Sequence, residues 1–112
     1  MDEYKRKEYT WWKGTADNFW SLFFRLRNNK TEPSSPAEQK KYDTCSTVFL
    51  SLNEREQDIL LTFYSCPYKF RAYAVEDYSS RTGFPIGVIY AIINRAGRAI
   101  MVELGIIDKE TK

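Results

Sequence analysis

Apolar residues recur along this chain at spacings of three and four, and nowhere do they alternate with polar ones between hairpin turns. The pattern therefore predicts an all-α fold, a bundle of about five helices. A first helix is expected from about Thr15 to Arg27, with Phe19, Leu22, Phe23 and Leu26 as its apolar stripe, Trp11, Trp12 and Trp20 flanking it, and Thr15 or Asp17 as the cap. The polar run from Asn28 to Ser34, which contains Pro33, reads as a connection. This divides the chain into an aromatic-rich segment (1–30), a linker (31–35) and a helical domain (36–112).

The next two helix starts are written in the sequence. In Ser35-Pro36-Ala37-Glu38 the serine can accept from the amide at Glu38, proline stands where no donor is missed, and Glu38 can close a capping box. Tyr42, Cys45, Phe49 and Leu52 then mark one buried stripe. Asn53-Glu54-Arg55-Glu56 repeats the signal before Ile59, Leu60 and Phe63. Pro67 ends or follows that helix, and a loop near Ser65 to Arg71 leads to a short helix from about Ala74 to Arg81. A break at Thr82-Gly83 is followed by a longer helix from about Pro85 to Leu104.

A short amphipathic helix, a glycine at its exit and a second helix opening two residues later are the parts of a helix-turn-helix, here spanning 74–104. Gly83 is the position where positive φ is expected. Val75 and Tyr78 are expected to bury against Ile89, Ile92, Ile93 and Ala96.

The stretch 52–100 resembles the DNA-binding fourth region of bacterial sigma factors and the sigma-like regulators of phages and mobile elements. The resemblance rests on Leu52-Asn53-Glu54-Arg55-Glu56-Gln57-Asp58-Ile59-Leu60, on Ala74-Val75-Glu76-Asp77-Tyr78, on Gly83, Ile89 and Ile92, and on the basic exit Arg95-Ala96-Gly97-Arg98-Ala99-Ile100. It implies a recognition helix whose outward positions are Ile86, Gly87, Val88, Tyr90 and Ala91, where the family carries Arg, Glu and Gln. Apolar side chains there can touch thymine methyl groups and Tyr90 can donate a hydrogen bond, but bidentate readout of guanine or adenine is not available. The phosphate-binding equipment is expected to be Lys69, Arg71, Arg81, Arg95 and Arg98, with Asn94 on the exposed side. The partner implied is duplex DNA, with RNA polymerase or a second copy of the chain as the alternative through the same apolar helix.

Composition narrows the chemistry. The 112 residues contain no histidine, which removes imidazole-based nucleophilic sites and histidine-ligated metals. Cys45 and Cys66 are too far apart for a Cys-x-x-Cys clamp and too few for a four-cysteine zinc site. Neither catalysis, a cofactor nor a small-molecule substrate is expected. Acids at 54, 56, 58, 76 and 77 fall in first turns of helices, where the macrodipole favours anions. The formal net charge is +2, yet from Lys69 to Arg98 five basic residues face two acidic ones.

The N-terminus is charged and lacks an apolar signal core, and the longest apolar stretch, Phe84 to Ile93, is about half of the roughly 20 residues a membrane span needs. A cytoplasmic protein without membrane contact is expected. Eight of the eighteen aromatics fall in the first 24 residues. Burial against the rest of the domain is the first expectation for them. Because Trp11, Trp12, Trp20 and Phe24 exceed one helix face, a partner interface is the second.

Overall fold

The computed structural model describes residues 11–107. The first ten residues of the aromatic-rich segment and the last five of the C-terminal domain lie outside the described residues. Among the described residues there are five α-helices: α1 (Lys13–Asn29), α2 (Pro36–Leu50), α3 (Glu54–Tyr64), α4 (Arg71–Thr82) and α5 (Ile86–Glu103). A single 3-10 turn, Tyr68–Phe70, precedes α4, and there is no strand among the described residues. The all-helical expectation holds.

Local chemistry sets most of the helix ends. Ser35 Oγ accepts from Glu38 N at 3.2 Å, while the Glu38 carboxylate reaches back one residue further than expected, to Ser34 N and Ser34 Oγ, both at 2.9 Å. Asn53 and Glu56 close a full capping box, with Glu56 N to Asn53 Oδ1 at 2.8 Å and Asn53 N to Glu56 Oε1 at 3.1 Å. Two ends differ from expectation. α1 starts at Lys13 with Trp12 at the cap position and no side-chain cap, so neither Thr15 nor Asp17 serves. α4 starts three residues early, because Pro67 turns the chain into the 3-10 segment through Phe70 N to Pro67 O at 2.8 Å.

One apolar core joins all five helices. Trp20, fully buried, lies near its centre, with ring centroids 5.7 Å from Phe23, 5.9 Å from Phe24 and 6.4 Å from Tyr64. Its indole Nε1 donates to Ala96 O of α5 at 3.4 Å. Residues 11–30 and 36–107 thus share a core across the expected linker 31–35, and Lys30, just before it, takes a left-handed conformation that closes α1. The buried face of α1 runs through Trp12, Ala16, Trp20, Phe23 and Phe24, with Phe19 only partly covered.

This corrects the partner reading for three of four aromatics. Trp12, Trp20 and Phe24 are buried in the chain's own core and are unavailable to a partner; only Trp11, 59% exposed, faces solvent. Their spacing of four places them on one helical stripe that the other helices cover.

Candidate nucleic-acid interface

α3, α4 and α5 pack mutually, and the connection from α4 to α5 is only three residues long. Gly83 adopts φ +82°, the left-handed C-cap of α4, with its amide on Ser79 O at 2.8 Å. Thr82 Oγ1 donates to Tyr78 O at 2.7 Å and accepts from Phe84 N at 3.3 Å, and Ser79 Oγ donates to Phe84 O at 2.5 Å. The turn is therefore fixed by hydrogen bonds on both sides of the glycine. Val75 and Tyr78 of α4 and Ile89, Ile92, Ile93 and Ala96 of α5 are all buried, as their spacing predicts.

The opposite face of α5 is open. Ile86, Gly87, Val88, Tyr90, Ala91, Asn94 and Arg95 are all exposed. No side chain caps the first turn of α5 and no acid lies in it, so the helix itself supplies no anion at its positive end.

The cations around this face are held in distinct ways. Arg81 Nε contacts Asp77 Oδ2 at 2.9 Å one turn back, and its guanidinium lies 5.5 Å from the Tyr78 ring centroid. Arg95 Nη2 lies 3.6 Å from Glu56 Oε2 of α3. Both arginines are mostly exposed, and such surface pairs contribute at most about 1 kcal/mol, so they exchange readily for another anion. Arg98 is half-buried farther along α5. Arg55, absent from the expected set, stacks 4.3 Å from the Phe84 ring centroid and so stands beside the start of α5. Its position depends on a contact 29 residues away in sequence, which helical periodicity does not encode.

Two expected contacts are placed elsewhere. Lys69 sits on the 3-10 turn over the Phe70 ring, at the end of α4 remote from Gly83, with the 12 residues of α4 between them. Arg71 turns inward: its guanidinium lies 4.9 Å from the Tyr64 ring centroid and 5.4 Å from those of Phe63 and Tyr68, and Nη2 donates to Ser21 Oγ at 3.1 Å. Its Nε is buried without a partner. Arg71 thus braces α4 against α1 and α3 and presents no outward donor array, a correction to its expected phosphate role. The reason is register, since Arg71, Val75 and Tyr78 share one face of α4 once that helix begins at residue 71.

Among the described residues no group of three or more His, Cys, Asp or Glu converges as a metal site, and no helix is long and apolar enough to cross a membrane. Comparison with protein-family models, curated proteins and solved structures returns no match.

Proposed function

We propose that this chain is a small duplex-DNA-binding transcription regulator, sequence-specific or semi-specific, in which α4, the Gly83 turn and α5 act as a helix-turn-helix resembling the fourth region of sigma factors. The observation that carries the reading is the exposed face of α5, which opens at an uncapped, acid-free helix start, carries Arg95 and has Arg55 stacked on Phe84 beside its start. Helix starts of this kind receive phosphate, and arginines around them fix the register of a duplex. Ile86, Val88 and Ala91 supply apolar contacts to thymine methyl groups, and Tyr90 and Asn94 supply the polar ones. The protein binds DNA in this reading and does no chemistry on it.

Binding to a random-sequence duplex as a function of salt tests the proposal. Three phosphates neutralised by Arg81, Arg95 and Arg98 give a slope of log affinity against log salt of about −3. A slope near zero, or no binding at low salt, rejects it.

A second reading has its own support. Ile86 and Val88 are 43% and 44% exposed and stand in an uncharged run from 86 to 91, so the same face suits an apolar contact with RNA polymerase, another regulator or a second copy of the chain.

A further inference from the structure

Glu76 and Asp77 do not sit in the first turn of a helix, contrary to their expected place: α4 begins at Arg71, has no acid in its first turn and carries both in its middle. The helix macrodipole therefore does not account for them. They stand beside two exposed rings, since Phe70, Tyr73 and Asp77 recur at spacings of three and four and Glu76 lies one turn beyond Tyr73. Tyr73 is 73% exposed. With Cys66 and Ala74 these side chains line an open groove of about 500 Å³ beside α4 and the 3-10 turn before it. Clefts that receive drug-sized ligands span about 300–1,000 Å³.

The charges of the groove are unevenly answered. Arg81 contacts Asp77 at 2.9 Å, whereas Glu76 forms no ion pair among the described residues. The rings already draw a cation, as Lys69 Nζ stands 5.4 Å from the Phe70 ring centroid. Tyr73 has no such neighbour among the described residues. Two carboxylates repel phosphate, so this is not a stacking platform for nucleic acid. One unanswered carboxylate beside an open aromatic face, with apolar walls around them, is complementary to a cation carried on an apolar segment.

We propose that this groove docks an arginine-bearing peptide segment of a partner protein, the guanidinium lying on Tyr73 and paired with Glu76, and the apolar neighbours of the arginine lying on Phe70, Ala74 and Cys66. A guanidinium suits the place better than an ammonium because it is planar, stacks on rings and pairs with a carboxylate through two donors. None of these side chains belongs to the DNA face, and the inference does not rest on DNA binding.

Titration of the 15N-labelled chain with the peptide acetyl-Leu-Arg-Leu-amide tests it, against the same peptide with lysine or glutamine in the middle. The arginine peptide gives saturable shifts at the amides of residues 66–80, the lysine peptide binds about threefold more weakly and the glutamine peptide about tenfold. Glu76→Gln and Tyr73→Ala each weaken the arginine peptide by about threefold to fivefold. Both residues are exposed, so both variants fold, and an unchanged melting temperature verifies it. Absence of saturable shifts, a glutamine or lysine peptide that binds as tightly as the arginine one, no effect of Glu76→Gln, or the same amides shifting with oligothymidylate overturns the proposal.

Discussion

The six-membered ring of Trp12 lies 3.0 Å from where a Cβ on Gly97 would stand, so glycine at this position lets the start of α1 seat on the middle of α5. Ala16 Cβ stands 3.4 Å from the same point. In a free helix Gly97→Ala would gain about 1 kcal/mol of helix propensity. Here the added Cβ would press on the buried Trp12 ring, which must shift by a few tenths of an ångström, and overpacking of this kind costs about 1–3 kcal/mol. Gly97→Ala is expected to lose on the order of 1 kcal/mol in urea unfolding. In a Trp12→Ala background the same substitution becomes stabilising, and a cycle without that reversal of sign shows that the two residues do not touch.

Gly83 presents the opposite case. A Cβ there meets nothing within 4 Å, so the cost of substitution is set by the backbone φ of +82° alone. Gly83→Val is expected to destabilise by about 1–3 kcal/mol, and Gly83→Asn by clearly less, because asparagine tolerates the left-handed region. Equal melting temperatures for the two variants would place the turn's constraint elsewhere.

These two glycines show what a sequence discloses. Gly83, the Ser35 start and the Asn53 box are legible because each is closed by bonds to residues within five positions. The Gly97 contact with Trp12 spans 85 residues, and the Tyr64 bond to Asp17 spans 47, so neither follows from periodicity. Arg71 sits between these cases. Its charge suggests an outward ligand contact, but its spacing to Val75 and Tyr78 marks the inward face, a signal that becomes visible only once the helix start is placed correctly.

At the start of α2, hydrogen bonds from Ser34 N and then Ser34 Oγ hold the Glu38 carboxyl below its usual pKa of 4.5. A group whose folded pKa is depressed adds stability above its unfolded value and loses that contribution as pH falls through the folded one. Glu38→Gln should therefore melt below the parent at pH 7, with the gap closing at pH well under 4.5. A gap that persists in acid would assign the effect to packing.

For Arg71 the position over three aromatic rings predicts a structural phenotype. Arg71→Ala removes the stacking on Phe63, Tyr64 and Tyr68 and the bond to Ser21, and is expected to cost about 1–2 kcal/mol of stability. Arg71→Lys should recover little of it, because an ammonium lacks the planar fork that fills this space. The salt slope of DNA binding should stay unchanged in whatever fraction remains folded. A slope reduced by about one unit would return Arg71 to the phosphate contacts.

Ile86 decides between the two readings of the α5 face. It is exposed at the first position of the helix, touches none of the core, and tolerates a charge without unfolding. On the DNA reading, Ile86→Glu places an anion at an uncapped helix start, so it stabilises the free protein slightly while repelling phosphate. DNA affinity should then fall at least about tenfold, with the melting temperature of the free protein slightly raised and its sedimentation unchanged. On the protein-contact reading, the same carboxylate is buried in an apolar interface, and the association weakens by several kcal/mol. The helix start favours the first outcome, because an apolar partner has no use for unpaired amides at Ile86 and Gly87, whereas a phosphate does. An Ile86→Glu protein that keeps its DNA affinity and loses a partner or its own dimer would assign this face to protein docking.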